Sequence, residues 1–561
     1  MTRNSLFITS LLLVLATAVL SNCQVQPTII KPVSITPSQT VSYHLDTILL
    51  AQSQQPSLAT VSGNSSSNRM VISDTPTQPA LISTSSPSAS PDHQTHPTPA
   101  SGSVTHLPAT PTQSFTIYYA QSGDDLKVVA QHFGVDPGEI TSPDPLPREG
   151  LLTPGQVLLL PARFSGYKPA IRLLPDSEVV YSPSAADFDV AAYLNHTNGF
   201  LKTHREYLKS TGWTTAANIL TRIALENSIN PRLLLALLEY HCHCVLGQPD
   251  KDVQIDFLLG NTDFRRKGLY RQLSWAASRL SAGYYGWRGG TLGEFTTPTG
   301  LVIRPAADLN AGSVAVLYFY AFYKDNRIFS QAQDIEIGLP AVHTRMFGDP
   351  WQRAASVEPL FPAGSAQPPL ILPFEPGRLW SFTSGPHTVW ENEGAQAALD
   401  FAPATYASGC IQSDAWVVAV GDGLVVRSEF GAVIQDLDVT ASAPADGLEQ
   451  TGWVILYMHI ESRDRVAPGT RLKAGDRIGH PSCEGGRATG THVHMARKFN
   501  GEWVLAVGAM PFDLEGWVVF AGEKPYEGVL KRGNQTVIAH PYGSFETKII
   551  RPTLTPTPGG G

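Results

Sequence analysis

Five side chains in the C-terminal part of the chain are of types that could bind a metal ion and use it in catalysis. They are one carboxylate and four imidazoles: His387, Asp400, His459, His492 and His494. On a β-strand, residues two apart point to the same face, so the last two imidazoles would enter one pocket. A catalytic zinc ion needs about three protein ligands of this kind and an open position for water. His387, Asp400 and one of the last two histidines would complete that set, and the remaining histidines could transfer protons or stabilise an oxyanion.

The segments around these residues have the pattern of antiparallel β-structure. Residues 451–459 are predicted to form a strand that ends on a site histidine. Residues 495–499, which directly follow His494, are predicted to form another strand, and the Asn-Gly pair after it is a hairpin signal. The runs 416–420 and 424–427 are predicted to pair with each other as one hairpin. We therefore expect an all-β, antiparallel domain over residues 384–551.

This stretch resembles the LytM/lysostaphin-type zinc metallopeptidases, which cleave peptide bonds of bacterial peptidoglycan. It has their early His, an Asp after an apolar residue, a His after an apolar-aromatic strand and a final His-x-His after Gly-Thr. Carried over by position, the resemblance implies that His387, Asp400 and His494 bind Zn²⁺ and that His459 and His492 are the catalytic histidines. The first His lies thirteen residues before the Asp, a spacing that resembles the beta-lytic/staphylolytic branch of the family.

A second reading of the same stretch stays open. Some relatives keep the fold, lose catalysis and activate other cell-wall hydrolases, but they usually lack a zinc ligand, and none is missing here. The alternative function is therefore a non-catalytic peptidoglycan-binding protein or an activator of other hydrolases. His480 matches no ligand position, and we expect it to have no role in the site.

The N-terminus predicts export. In residues 1–22, Arg3 precedes an apolar run that is shorter than the roughly 20 residues of a membrane span. Residues 20–23 resemble a bacterial lipoprotein box, in which Cys23 would be lipidated and would tether the chain to a membrane. Ordinary cleavage with secretion and retention as a signal anchor are the alternatives. All three predict an extracytoplasmic protein, either at the cell surface or secreted.

A long linker is predicted to follow the export signal. Residues 23–114 are dominated by Ser, Thr, Pro and Gln and cannot bury enough apolar surface to fold. We therefore expect a disordered tether with an end-to-end distance of about 50 Å. The tail of residues 552–561 is predicted to be disordered as well.

The net charge of −8 gives no basic footprint for nucleic acid. We expect a monomer.

Residues 115–163 have the pattern of a small strand–helix–helix–strand module. Its Ser-Gly-Asp-Asp-Leu run at residue 122 and its Pro-Gly-Gln-Val-Leu run at residue 154 resemble those of a LysM domain. That family binds N-acetylglucosamine-containing glycans such as peptidoglycan. The resemblance implies sugar contacts in the loop Gly123–Leu126 and in the loop near Ile140.

Residues 180–347 are predicted to be mostly helical, and residues 348–383 to be a Pro-rich linker. The run 232–240 is apolar nearly all round, which predicts a buried helix. The region faintly resembles lysozyme-like transglycosylase domains, whose buried helix ends in a catalytic Glu. Here that position falls on His241, so the resemblance implies a domain without glycan cleavage. A working muramidase is the alternative, and the missing acid argues against it.

Two pairs of the five cysteines attract attention. Cys410 and Cys483 flank the predicted site in an exported domain, so we hypothesise a disulfide between them. His241-Cys242-His243-Cys244 could suggest a metal, but neighbouring side chains on a helix point about 100° apart and cannot all converge on one ion. A buried or oxidised pair is expected instead.

Together these features predict a multidomain, peptidoglycan-binding zinc endopeptidase: a βααβ LysM module, a mostly α lysozyme-like domain and an antiparallel β metallopeptidase domain. The sequence does not indicate which peptide bond is cut, or whether the wall is the cell's own.

Overall fold

The computed structural model describes residues 114–163, 169–405, 408–440 and 443–553. The predicted export signal, Cys23, the linker up to residue 113 and the tail from residue 554 lie outside the described residues. The chain divides into Met1–Ser103 and Val104–Gly561, and every described residue belongs to the second unit. Within the described residues, no helix combines the length and the hydrophobicity that a bilayer span requires.

The small module of residues 115–163 is a strand–helix–strand unit with its own core. Its elements are β1 (Phe115–Tyr119), α1 (Leu126–Phe133) and β2 (Val157–Pro161), and the two strands pair antiparallel. Asp125 begins α1 by accepting the N–H groups of Lys127 and Val128, as an N-cap carboxylate does. The predicted second helix is a single 3₁₀ turn, Pro137–Glu139, because Ile140 already has extended backbone. The module is therefore βαβ with one short turn, rather than βααβ with two full helices.

The helical unit, defined here as residues 172–361, contains eight α-helices and two short hairpins within the described residues. The helices are α2 (Val190–His196), α3 (Ala216–Asn227), α4 (Pro231–Cys242), α5 (Leu269–Arg288), α6 (Ala311–Tyr320), α7 (Asn326–Ala332), α8 (Leu339–Phe347) and α9 (Pro350–Ala354). The hairpins are β3 (Arg205–Leu208) with β4 (Gly212–Thr215), and β5 (Phe295–Thr296) with β6 (Val302–Ile303). The predicted buried helix is α4, which Asn230 caps and whose leucines are fully buried. Helix α9 lies inside the stretch predicted to be a linker.

The residues at the C-terminal end of α4 are engaged in contacts that stabilise the fold. Glu239 accepts the N–H groups of Val245 and Leu246, each at 3.0 Å, so its carboxylate closes the turn after the helix. The His241 ring is stacked against Tyr320 and Tyr323, and burial lowers its pKa to about 4. Cys242 and Cys244 form a disulfide with each other, which leaves neither sulfur as a thiolate for a metal.

The β domain, residues 379–550, is built on a nine-stranded antiparallel sheet. The central strands are β7 (Leu379–Thr388), β8 (Gln396–Pro403), β10 (Gly423–Glu429), β11 (Ala432–Leu437), β12 (Trp453–Met458) and β15 (Val493–Phe499). The short strands at its edges are β13 (Arg471–Leu472), β16 (Glu502–Trp503) and β21 (Lys548–Ile550). Eight of these strands lie in the order β13-β10-β11-β12-β15-β8-β7-β21, and β16 pairs with β15. The antiparallel β architecture expected for this region is confirmed.

Smaller sheets flank this one. β9 (Val417–Val418) pairs with β14 (Arg477–Gly479), and β17 (Asp513–Leu514), β18 (Trp517–Ala521), β19 (Gly528–Arg532) and β20 (Gln535–Ile538) form a four-stranded meander. The predicted hairpin of residues 416–420 with 424–427 is wrong. The N–H groups of Ala419 and Val420 bond to the Asp476 carbonyl and the Tyr457 hydroxyl, so the first run is satisfied elsewhere.

The helical unit and the β domain share one hydrophobic core, which continues from Leu173 to Ile549. Hydrogen bonds cross between them at Trp503, whose backbone N–H donates to the Tyr285 hydroxyl at 2.9 Å and whose indole N–H donates to the Asn227 carbonyl at 3.3 Å. The two parts therefore pack directly against each other within the described chain.

A buried ion cluster in the β domain predicts sensitivity to acid. Burial alone would raise the pKa of Glu449, but Arg427 at 2.6 Å and Lys498 at 3.2 Å outweigh it and lower the pKa to about 2. Because the folded-state pKa lies below the ordinary value of 4.5, the stabilisation is complete above about pH 4.5 and is lost as the pH falls toward 2.

We expect Glu449→Gln to lower the free energy of unfolding by about 3 kcal/mol at pH 7, since two buried cations lose their counter-ion. Urea unfolding at several pH values measures this. The difference from wild type should shrink below pH 4.5, and a difference that stays constant down to pH 2 would contradict the linkage.

Candidate active site

Three central strands carry the predicted site residues to one place. His387 lies near the end of β7, Asp400 in β8 and His494 in β15. Asp400 is the register partner of both His494 and Ser384, so β8 lies between the other two strands. The register between β7 and β8 shifts around Ser384 and His387, and these irregularities bring the imidazole over Asp400.

The donor atoms of the three residues form a small, nearly equilateral triangle. His387 Nε2 lies 3.0 Å from His494 Nδ1 and 3.3 Å from Asp400 Oδ1, and His494 Nδ1 lies 3.1 Å from the same carboxylate oxygen. All three residues are buried. They could hold a metal ion. Within the described residues, no other group of three or more His, Cys, Asp or Glu side chains brings one ligand atom of each to within 4.8 Å of all the others.

The donor set fits zinc. Tetrahedral Zn²⁺ with bonds of about 2.0–2.1 Å holds its ligand atoms about 3.3 Å apart, which matches the sides of the triangle. The Nδ1–H of His387 donates to the Gly385 carbonyl at 2.8 Å, which leaves the Nε2 lone pair facing the triangle. His494 Nε2 is buried and has no hydrogen-bond partner among the described residues, so only Nδ1 of this ring is engaged.

The charges of the site support one another. Burial would raise the pKa of Asp400, but the His387 and His492 imidazoles outweigh it and hold the pKa well below its usual range. Burial would lower the pKa of His387, and Asp400 raises it above the ordinary value instead. Burial lowers the pKa of His494, against the opposing effect of Asp400. The carboxylate is therefore the anionic centre of the cluster.

The other two predicted histidines line the same cluster. The His459 and His492 rings lie 4.4 Å apart, and His492 Nε2 is 3.7 Å from the second Asp400 oxygen. Each ring is oriented by a backbone carbonyl: His459 Nδ1 bonds to Glu484 O at 2.9 Å and His492 Nδ1 to Gly490 O at 2.7 Å. The structure thus brings all five predicted residues together.

His480 lies outside the cluster. Its Nδ1 bonds to the Ala415 carbonyl at 2.8 Å, and its ring packs on Trp416.

A disulfide joins Cys410 and Cys483 beside the cluster, as hypothesised. The loop after Cys410 is fixed to the segment just before β15, since Ile411 N–H donates to Thr491 Oγ1 at 2.9 Å. The Thr491 N–H donates in turn to the Gly409 carbonyl at 3.1 Å. These two hydrogen bonds, made on either side of Cys410, hold the cross-linked loop in contact with the residue before His492.

Tyr526 is a site residue that the sequence did not indicate. Its ring stacks on His387 at 4.6 Å, and its backbone bonds twice to the β7 segment, to Gly385 N–H and to the Pro386 carbonyl. It lies in the turn between β18 and β19, far along the chain from every predicted ligand. No local pattern marks it, because only the packing of the meander against β7 places it there.

The helical unit matches a known protein family, and 61% of the chain is similar to a known protease. The family model for the N-terminal domain of LasA matches residues 172–361, the helical unit. Protease LasA of Pseudomonas aeruginosa (strain UCBPP-PA14) is 26% identical over 364 residues, which are 61% of this chain and 77% of that protein. The lysozyme-like and LysM interpretations remain predictions.

Two solved structures are similar to parts of the chain. The M23 metalloprotease pseudoalterin is 22% identical, with a TM-score of 0.25, over 31% of this chain and 96% of its own. The catalytic domain of lysostaphin from Staphylococcus simulans is 22% identical, with a TM-score of 0.16, over 23% of this chain and 87% of its own. By sequence, the chain is thus similar to Protease LasA over 61% of its length, and its helical unit matches the family model for the LasA N-terminal domain.

Proposed function

We propose that this protein is a zinc endopeptidase that hydrolyses peptide bonds of bacterial peptidoglycan outside the cytoplasm. The observation that carries the proposal is the convergence of His387 Nε2, Asp400 Oδ1 and His494 Nδ1 within 3.0–3.3 Å of one another. The similarity of the chain to Protease LasA supports the same function.

His387, Asp400 and His494 would hold the zinc ion. Bound zinc supplies two kinds of chemistry: it lowers the pKa of a bound water and polarises the scissile carbonyl. The Gly385 carbonyl accepts the Nδ1–H of His387 and so fixes the tautomer in which Nε2 can bind the ion. Tyr526 covers one face of the His387 ring and limits its movement.

His459 and His492 would move protons and stabilise the developing oxyanion. Because each Nδ1–H donates to a backbone carbonyl, each Nε2 carries the lone pair. A ring in this tautomer can accept a proton from the attacking water and then deliver it to the leaving amine. In its protonated form, the same Nε2–H can donate to the tetrahedral oxyanion. The 4.4 Å separation of the rings allows one to act at each end of the scissile bond.

The small module is proposed to bind the glycan of the wall, and the N-terminus to provide either secretion or a membrane tether. In the described structure Ser122, the residue just before the loop Gly123–Leu126, already contacts the helical unit. The Arg288 guanidinium donates to the Ser122 carbonyl, and the Phe361 N–H donates to Ser122 Oγ at 2.8 Å. Sugar binding at this module would therefore use the rest of its surface or follow release of this contact.

Removal of metal from the full-length protein tests the proposed function. The protein should release new amino termini from purified peptidoglycan, a chelator should stop the release, and added Zn²⁺ should restore it. Mass spectrometry of the fragments would identify the bond. Release of reducing sugar ends without new amino termini would favour a muramidase. Wall binding without any hydrolysis in the presence of zinc would favour the binding or activator alternative.

A further inference from the structure

An exposed arginine lies in the loop whose two ends orient the histidines proposed to act in catalysis. This loop, residues 484–490, precedes β15, and Arg487 is its middle residue. The backbone carbonyls of its first and last residues bind Nδ1 of His459 and of His492. Because three residues span at most about 11 Å, the Arg487 Cα lies within that distance of both ends of the loop.

The Arg487 side chain reaches the segment that follows the first predicted metal ligand. Its Nη1 donates to Asn392 Oδ1 at 3.2 Å. Asn392 belongs to the β7–β8 loop, residues 389–395, which begins two residues after His387. Both side chains are exposed. The guanidinium therefore lies at the surface, between the loop that precedes His492 and the loop that follows His387.

The loop of residues 484–490 is anchored without the Arg487 side chain. It directly follows the disulfide-bonded Cys483, and the N–H and hydroxyl of Ser462 each donate to the Glu484 carboxylate at 2.9 Å. Gly431 packs so closely on Glu484 that a Cβ would lie 2.5 Å from its carbonyl carbon. The conformation of the loop therefore does not depend on the guanidinium.

The charge of Arg487 is not neutralised by a carboxylate. Within the part of the chain that the structure describes, it forms no ion pair, and its hydrogen bond goes to the neutral amide of Asn392. The three carboxylates of the two loops are already bound by other groups: Glu484 by Arg465, Glu393 by Arg279 and Glu391 by Ser274. The guanidinium is therefore an unpaired cation beside the proposed site.

The geometry of a guanidinium suits one kind of ligand. It presents five N–H donors in a plane and binds a carboxylate through two parallel hydrogen bonds. Asn392 accepts from one donor of Arg487, which leaves four for a ligand. A carboxylate is a stronger acceptor than an amide, so it would displace or supplement this contact with a gain in free energy. In the proposed substrate, a peptide, the anionic groups are carboxylates.

We propose that Arg487 is a specificity-determining residue, which binds a carboxylate of the substrate peptide beside the scissile bond. The carboxylate is either the α-carboxylate at the end of the peptide or one carried by a residue within it. The proposal rests on the proposed function, because it selects among substrates of that same site. Peptides in which this carboxylate is amidated should be cut more slowly.

Initial rates on synthetic peptides test the proposal with the full-length, zinc-loaded protein. The peptides span the bond identified from wall fragments and carry either a carboxylate or a carboxamide, at the chain end or within the chain. We expect the wild type to cleave one carboxylate form with about 10-fold higher kcat/KM than its carboxamide, and Arg487→Gln to cleave both at the lower rate. The position at which amidation removes the difference identifies the source of the carboxylate.

Arg471→Gln is the matched control. It removes the same charge from a 57% exposed arginine on β13, four strands away from β15 in the sheet, and should keep the wild-type preference. Equal rates of the wild type on every carboxylate and carboxamide pair would overturn the assignment. An Arg487→Gln variant that is slower on both forms by the same factor would overturn it too, since a purely structural role gives that result.

Binding of the same peptides separates this proposal from the proposed function. A wild type that cleaves neither peptide nor wall would refute the peptidase. Fluorescence anisotropy of labelled peptides then measures the contact by itself. Tighter binding of a carboxylate form by the wild type but not by Arg487→Gln would keep the contact without the peptidase, whereas equal binding of all forms by both proteins would refute the contact as well.

Discussion

Replacing His494 with alanine is expected to abolish both zinc binding and hydrolysis. Replacing His492, two residues earlier, should strongly reduce turnover while zinc stays bound. His494 Nδ1 lies 3.0 and 3.1 Å from the donor atoms of His387 and Asp400, so its loss leaves two ligands where zinc needs three. His492 lies farther out, with Nε2 3.7 Å from Asp400, and should leave the three-ligand set intact.

The size of the His492 effect follows from its role. Losing one proton-transfer or oxyanion group typically slows an enzyme by about 10²-fold or more, so we expect a loss of that order in turnover with the metal retained. Metal content measured by atomic absorption, beside the initial rate of amino-terminus release, separates the two variants. His540→Ala, at an exposed histidine of the same domain, is the control and should match wild type in both.

Two results would contradict these assignments. Full zinc content in His494→Ala would remove it from the ligand set. Normal turnover in His492→Ala would remove that residue from the reaction, while loss of zinc in the same variant would make it a ligand.

Arg288→Ala is expected to destabilise the protein by about 3–5 kcal/mol, because it leaves two buried carboxylates without a counter-ion. Its guanidinium lies 2.6 Å from Asp176 and 2.8 Å from Glu502, and both carboxylates are almost fully buried. Tyr284 donates to the same Glu502 at 2.7 Å. Since Asp176 belongs to the helical unit and Glu502 to the β domain, Arg288 joins these two parts, and through Ser122 it also contacts the small module.

Urea unfolding followed by circular dichroism measures the loss in Arg288→Ala. The control is Arg265→Ala, which removes an 87% exposed partner of Asp263 and should leave the free energy of unfolding close to that of wild type. Adding Asp176→Asn and Glu502→Gln to Arg288→Met should recover part of the stability, because the unpaired charges are then gone. An Arg288→Ala variant as stable as wild type would show that water reaches these carboxylates in solution.

The sequence by itself determined the features that depend on short-range pattern. His492 and His494 share a face because alternation along a strand has a period of two. Helix α4 followed from the apolar run of residues 232–240, and the two strands and first helix of the small module from the pattern of residues 115–163. The motifs of the five site residues indicated a single cluster, because together they match the pattern of the metallopeptidase family that the stretch resembles.

Only the tertiary structure decided which distant segments meet. The β7–β8 register and its irregularities set the distance from His387 to Asp400, and the meander brought Tyr526 onto the His387 ring. The hairpin prediction for residues 416–427 failed because the first strand found its partners at Asp476 and Tyr457, about 40–60 residues onward. Local pattern fixes the face on which a side chain lies, whereas the partner of that face depends on long-range packing that minimises exposed apolar area and unpaired polar groups.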